Sequence, residues 1–318
     1  MRVHRGYRRL PPEARGAAVA IGNFDGVHLG HRAVIEAAAK LARAREAPLG
    51  VVTFEPHPRE VLQPESAPPR LTSFARKAEL LAALGVARLF VLRFEPALMR
   101  LSPEAFVREI LLDALGVRAI AVGANFRFGY RRAGTPEDLI RLAGACGVRT
   151  TVVPQLHLDD RPCSSTRIRA ALRIGDVALA ARLLGYPYEL RGGVVRGDRI
   201  GRTLGYPTAN LRPAGRRPLL PATGIYVVRA AVRRPEGWRW HPAVASLGFR
   251  PAVGGRDLRL EVHLLDGEHE LYGQRLRVSF LERLRGEEAF ESLEALRRQI
   301  ARDCAAARAY HGLETARA

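Results

Sequence analysis

The sequence predicts an α/β protein in two parts: an open parallel sheet wrapped by helices, then a small antiparallel β-barrel with a closing helix. Three observations predict it. Short apolar runs alternate with helical patterns through the first half of the chain, as in a parallel sheet covered on both faces. From about residue 188 to 280 short strands follow one another between Gly- and Pro-rich turns, as in a barrel. Residues 287–310 place Phe290, Leu293, Leu296, Ile300 and Cys304 at spacings of three and four, so one helical face is expected to be buried. The change falls near residue 186 and divides the chain into expected domains 1–186 and 187–318.

In chain order, residues 17–24 read as a strand and the alanine-rich run 31–46 as a helix. A strand at 49–54 leads into a Pro-rich loop over 55–69, then a helix at 73–84 and a strand at 88–92. Residues 103–115 are helical, with Ser102 as N-cap and Pro103 at the first helical position. Strands at 118–123 and 149–153 enclose a helix at 136–145. In the second half, strands are expected at 189–195, 224–231, 258–265 and 276–280.

Composition narrows the class. The 318 residues are 47% hydrophobic and 26% charged, the balance of a globular protein. No apolar run reaches the ~20 residues of a membrane helix. The basic N-terminus lacks a following apolar region, so no secretory signal is expected and the cytoplasm is the expected compartment. Cys146, Cys163 and Cys304 are odd in number and widely spaced, which favours neither a disulfide framework nor a metal knuckle; Cys163 reads as a small buried filler. The net charge of +19, from 51 Lys+Arg against 32 Asp+Glu, is spread along the chain. That spread reads as compositional bias that helps attract polyanionic nucleotides rather than as a nucleic-acid footprint.

The densest chemistry lies at Gly22-Asn23-Phe24-Asp25-Gly26-Val27-His28-Leu29-Gly30-His31, where a strand ends and a helix begins. Gly22 and Gly26 permit a tight turn. The helix N-terminus presents unpaired N–H groups to phosphate. His28 and His31, three apart, project from one face, and Gly30 leaves no side chain between them. Two imidazoles there can donate to a phosphate whose charge grows in a transition state. A zinc reading lacks a third local ligand.

Further along, Ser164-Ser165-Thr166-Arg167-Ile168-Arg169 can begin a helix, with Ser165 and Thr166 as capping hydroxyls and Arg169 as a bidentate phosphate grip; Arg161 can act similarly. Phe54, Phe126 and Phe128 read either as core or, for Phe128 between Arg127 and Gly129, as a ring-stacking platform. In the second half, Gly197, Gly201 and Arg202 belong to a Gly-rich loop running into Pro207-Thr208-Ala209-Asn210. It is not a P-loop. The Thr208 hydroxyl and Asn210 amide are hard oxygen donors that suit Mg²⁺ on a polyphosphate. Glu261 alternates with apolar residues in a strand and can deprotonate a hydroxyl.

These motifs carry a resemblance. His28–His31 resembles the HxGH signature of nucleotidylyltransferases, and the full Gly22–His31 segment resembles the bacterial bifunctional riboflavin kinase/FAD synthetases. Residues 53–58 are similar to that family's TFxPHP loop, 122–129 to VGxDFxFG, with Asn125 where many members carry Asp, and 164–169 to SSTxIR. Residues 197–210 resemble GxxxGRxxGxPTAN. Residues 246–252 depart from NxGxxPT, with Ser246 and Ala252 in place of Asn and Thr. The resemblance spans roughly residues 15 to 310.

It implies a Rossmann-like FMN adenylyltransferase domain followed by a riboflavin kinase barrel. It implies ATP contacts at Gly22, Phe24, Asp25, Gly30, Ser165, Thr166 and Arg169, and FMN contacts at His57, Asn125, Phe128 and Arg161. In the kinase it implies Mg-ATP contacts at Gly197, Gly201, Arg202, Thr208 and Asn210, and Glu261 as base. The implied substrates are ATP, riboflavin and FMN, the product FAD and the cofactor Mg²⁺. The expected partners are these small molecules alone, without nucleic acid or membrane, in a monomer or weak oligomer. Two alternatives remain on the residues alone. A different HxGH nucleotidylyltransferase leaves 188–310 without a purpose; a non-catalytic flavin- or RNA-binding protein would use the basic surface.

Overall fold

The computed structural model describes residues 1–197, 200–252, 255–267 and 269–313, without the side chains of 200, 202, 250–252 and 255–258. The chain forms two compact units, Met1–Ser165 and Thr166–Ala318.

The first unit is a doubly wound parallel sheet. Its strands are β1 (Arg2–Arg5), β2 (Ala18–Ile21), β3 (Leu49–Glu55), β4 (Arg88–Arg93), β5 (Ala119–Gly123) and β6 (Arg149–Val153), in the order β1-β4-β3-β2-β5-β6. Alternation decides which helix covers which face. Ala18, Ala20, Val51 and Leu89 pack under the helix α1 (Leu29–Ala44) through Val34, Ile35, Ala38 and Leu41. Val19, Ile21, Phe90 and Val122 pack on the opposite side against Phe106, Ile110, Leu111 and Leu139. The expected Ser102 cap is present, its hydroxyl accepting from Ala105 N at 3.1 Å. β2 lies between β3 and β5, so the chain leaves the sheet in opposite directions on its two sides. Loops at the carboxyl ends of such central strands open a crevice for ligand, and the Gly22–His31 loop sits there.

Strand β1 was not foreseen. It pairs with β4 alone and is charged and mostly exposed, as suits an edge, so hydrophobic periodicity carries no trace of it. After β6, β7 (His157–Leu158) and β8 (Arg161–Pro162) form a small hairpin. Asp159 and Asp160 turn it with φ of 53° and 54°, the left-handed pair a two-residue hairpin demands.

The second unit is a closed barrel of β9 (Glu189–Val195), β10 (Ala209–Pro213), β11 (Gly224–Arg234), β12 (Gly237–Ala252), β13 (Gly255–Leu264) and β14 (Arg275–Arg285), ordered β10-β13-β12-β11-β14-β9. Inward residues such as Tyr226, Ala245, Leu247, Leu260, Val262 and Phe280 are buried. The long strand β12 was missed because Gly237, Pro242 and Pro251 interrupt its apolar pattern. The closing helix spans Leu293–Tyr310, capped by Ser292, and starts later than expected. Phe290 therefore lies before it, under the Arg285 guanidinium, and Leu293 is 67% exposed. Ile300, Cys304 and Ala307 make the buried stripe, against Val227, Val244 and Leu265.

Candidate active sites

The first site is held by its own backbone. Beyond β2, Phe24, Gly26 and Val27 take φ values of 50°, 87° and 38°. Two non-glycine residues in the left-handed region cost of order 1–3 kcal/mol each and persist only where surroundings fix them. Here they are fixed. The Asp25 carboxylate, 2% exposed, accepts from Leu71 N and Thr72 N at 3.1 Å and from the Thr72 hydroxyl at 3.3 Å. Gly26 N donates to Thr72 Oγ1 at 3.1 Å, and Thr53 Oγ1 donates to Asn23 O at 3.1 Å. Phe24 is buried, its ring edge-on to His31 at 5.3 Å. Asp25 thus faces backbone amides: it is the clamp of the loop.

That clamp has a second layer. Arg70, next to Leu71, binds Glu60 at 2.6 Å and Glu55 at 2.8 Å, and Lys77, 1% exposed, binds Glu55 at 2.8 Å. Burial lowers the Arg70 pKa, but the Glu60 hydrogen bond and the charges of Glu55, Asp25 and Glu60 outweigh it and raise the value. Sequence reading missed Thr72, Arg70 and Lys77. Only Lys77, a cation on the helix Phe74–Ala83 whose Leu81 is buried, left a signal.

His28 is the N-cap of α1, and its Nδ1 accepts from His31 N at 3.3 Å. With Nδ1 accepting, the ring proton rides on Nε2, which is a donor. The two imidazoles stack at 3.6 Å and 20°, at the positive end of the helix. Gly30 has a tighter reason than an open path for nucleotide. A Cβ there would lie 3.2 Å from His28 Cε1 and 3.3 Å from Cys163 O, so the glycine seats the His28 ring against the next motif. Cys163 is buried and its Sγ lies 3.9 Å from His28 Nδ1. Gly22, whose N donates to Val52 O at 3.1 Å, is packed by the Phe24 ring.

The Ser-Ser-Thr motif differs from its expected capping role. The helix runs Ser165–Arg173, so Ser165 and Thr166 are its first residues. The Ser165 hydroxyl donates to Asp25 O at 3.0 Å, tying this helix start to the strained loop. Arg169 is buried on the same helix. His57 caps the short helix Pro58–Leu62, accepting from Arg59 N at 3.1 Å. Asn125 is exposed beyond β5, and Arg161 is exposed in β8. Phe128 departs from the ring-stacking expectation: at 5% exposure it packs on Phe106 and supports Phe126, stacked on it at 5.6 Å and 15°. The Gly134 backbone bonded across from Phe128 holds it there.

The second site is held by strand register. On β13, Leu260 and Val262 point inward at 1% exposure, which puts Glu261 on the other pleat. Directly opposite Glu261 stand Asn210 on β10 and Ser246 on β12, so three polar side chains form one row. Thr208 Oγ1 donates to Glu261 Oε2 at 3.2 Å. Gly197 and Gly201 pass so close that a Cβ would strike the Asn210 amide and the Tyr206 carbonyl respectively. Asn210 Oδ1 is buried with no hydrogen-bond partner among the described residues. Such an oxygen is costly unless a ligand or ion satisfies it. The Arg202 side chain lies outside the described residues.

Sequence reading also missed His263. Its ring bonds Pro207 O at 2.8 Å and meets Tyr206 edge-on at 5.7 Å, pinning the segment that carries Thr208 and Asn210. Burial is the largest influence on it and lowers its pKa, outweighing the raising effect of the Pro207 bond. Its nearness to Glu261 by a period of two was the available signal.

A histidine pair at a helix N-terminus and a row of polar side chains on the barrel fit an enzyme that handles nucleotides at two separate centres. Residues 10–167 match the FAD synthetase family and residues 184–311 the riboflavin kinase family. A bifunctional riboflavin kinase/FMN adenylyltransferase of Pseudomonas fluorescens is 44% identical over 97% of each chain. One of Escherichia coli strain K12 is 39% identical over 98% of this chain and 99% of its own. The chain belongs to the bifunctional riboflavin kinase/FMN adenylyltransferase family. A crystal structure described as a macrolide-efflux protein of Streptococcus pneumoniae superposes with a TM-score of 0.86 at 31% identity, covering 96% of this chain and 98% of that one. Among the described residues no helix is long and apolar enough to cross a membrane.

Proposed function

We propose a division of labour between the two centres, with domains meeting near residue 186. As a member of its family, the enzyme transfers the γ-phosphoryl of ATP to riboflavin in the barrel domain, giving FMN and ADP. The sheet domain then joins FMN to the AMP part of ATP, giving FAD and pyrophosphate. In the sheet domain, His28 and His31 donate to the α-phosphate as its charge grows. Ser165, Thr166 and Arg169 serve the β- and γ-phosphates, while Gly22, Phe24, Asp25 and Gly30 shape the loop that seats the nucleotide. His57, Asn125 and Arg161 contact FMN, and Phe128 acts by backing Phe126. The observation that carries this reading is His28 as helix cap with its ring stacked on His31 at 3.6 Å.

In the barrel domain Glu261 takes the proton of the ribityl hydroxyl, with Gly197, Gly201 and Arg202 along the ATP polyphosphate. The orphaned Asn210 oxygen and the Thr208 hydroxyl fit a hard cation, so these two would hold Mg²⁺, which neutralises polyphosphate charge when bound with ATP. Three free cysteines support a reducing, cytoplasmic setting. Charge spread along the chain supports small-molecule partners only, in a monomer or weak oligomer.

The test is incubation with riboflavin, ATP and Mg²⁺, with both flavin products followed by chromatography. FMN should appear first and FAD after it, with pyrophosphate released in step with FAD. FMN without FAD would refute the role given to His28 and His31.

A further inference from the structure

One titratable cluster lies outside both centres. His241 sits on the inward pleat of β12, between buried Ala243 and the hairpin that joins β11 to β12, and is 2% exposed. Its Nδ1 lies 2.6 Å from Asp266 Oδ2. His269, on the loop after β13, reaches the other oxygen of the same carboxylate, Nε2 to Oδ1 at 3.3 Å. The two imidazoles meet edge-on with centroids 4.6 Å apart. Neither catalytic row uses any of the three.

An imidazole buried in a barrel interior needs its polar atoms satisfied. His241 Nε2 is buried with no hydrogen-bond partner among the described residues. The His241 nitrogen that faces the carboxylate is Nδ1, so a cation taking the place of the bridging proton meets that nitrogen, an Asp266 oxygen and His269 Nε2. One ligand atom each from His241, Asp266 and His269 can be chosen within 4.8 Å of one another, a span that side-chain rotation closes onto bonds of ~2.0–2.2 Å. Two imidazoles and one carboxylate select a borderline transition ion over Mg²⁺ or Ca²⁺, which take oxygen donors.

We propose that His241, Asp266 and His269 form a binding site for a divalent transition-metal ion of the Zn²⁺ class. Asp266 is partly solvent-facing while His241 is buried, so water fills the remaining coordination from the loop side. The ion fastens the loop carrying His269 to strand β12. That loop leads through Glu270, which accepts from Tyr272 N, into Leu271-Tyr272-Gly273 and then β14. The site is a structural fastener on the kinase unit and takes no part in phosphoryl transfer. Binding displaces the protons that now bridge the imidazoles and the carboxylate.

The test is a Zn²⁺ titration of the full-length, chelator-stripped protein against a chromophoric competitor, without nucleotide or Mg²⁺. Co²⁺ spectroscopy runs in parallel on wild type, His269→Ala and Asp266→Asn. Both variants alter a loop outside the catalytic rows, and riboflavin phosphorylation verifies that they fold; His241→Ala is avoided because it hollows the barrel. Wild type should bind one more equivalent than either variant, or bind it at least roughly tenfold more tightly. Its Co²⁺ spectrum should show ligand-field bands without a thiolate charge-transfer band. Equal stoichiometry and affinity in all three proteins, which would place binding at the His28–His31 pair or elsewhere, overturns the proposal. So does a thiolate band, or the absence of Zn²⁺ binding in wild type.

Discussion

The two candidate centres are built from opposite materials. In the sheet unit the work is done by main chain: two left-handed non-glycine residues, a helix N-terminus and a carboxylate spent on backbone amides. The orientation of His28 and His31 follows from capping and stacking. In the barrel unit the facing residues stand on paired strands. Asn210, Glu261 and Ser246 are aligned by register alone, and glycines at 197 and 201 let neighbouring segments close in. A site of the first kind is contiguous and fails when its loop shifts. One of the second kind is assembled from three strands and fails one side chain at a time.

That difference sets how each region breaks. The largest effect is expected from Glu261→Gln, which keeps the Thr208 partner and the strand but removes the carboxylate proposed as base. Riboflavin phosphorylation should fall by about 10²–10⁴, with adenylylation of supplied FMN unchanged; an equal fall in both would abolish the distinction. Gly30→Ala comes next. Alanine suits a helix, so thermal stability should hold, but the methyl displaces the His28 ring by a few tenths of an ångström. Adenylylation should drop by about tenfold to a hundredfold, read in steady-state kinetics with FMN and ATP.

Asp25→Ala tests the clamp rather than the chemistry. It orphans amide donors at Leu71 and Thr72, each costing about 1–3 kcal/mol, so calorimetry should show the sheet unit melting earlier while the barrel unit keeps its transition. The smallest effect concerns pH. His263 is held neutral because burial lowers its pKa below 6.5. The unfolded chain takes up a proton that the folded chain resists, so this contribution is complete above pH 6.5 and is lost as pH falls through the folded value. The barrel transition should drop below pH 6.5 in wild type and less so in His263→Gln, which keeps a donor for Pro207.

Contiguity also explains what was legible beforehand. Gly22–His31 could be read because its residues are neighbours in the chain and its strand and helix are strongly periodic. The sheet's core strands were legible for the same reason. Strand β1 was not, because an edge strand needs no apolar face. The clamp of Thr72, Arg70 and Lys77 was not, because it joins segments far apart in sequence. Phe128 shows the limit of local pattern: a ring in a loop looks available until Phe106 is seen beneath it. In the barrel, Thr208, Asn210 and Glu261 were each identified singly. Their alignment, and the place of Ser246 and His263 beside them, follows from register, which no local pattern in the chain encodes.

The central claim is that adenylyl transfer and phosphoryl transfer depend on separate sets of residues. The most direct measurement uses His28→Ala and Asn210→Ala, each given riboflavin with ATP and, separately, FMN with ATP. Alanine at 210 removes an oxygen that has no partner among the described residues, and removing the His28 donor from a transition state costs about 10²–10³ in rate. His28→Ala should make FMN at the wild-type rate and almost no FAD, while Asn210→Ala should convert supplied FMN to FAD normally and make little FMN. Loss of both activities in either folded variant would contradict the account.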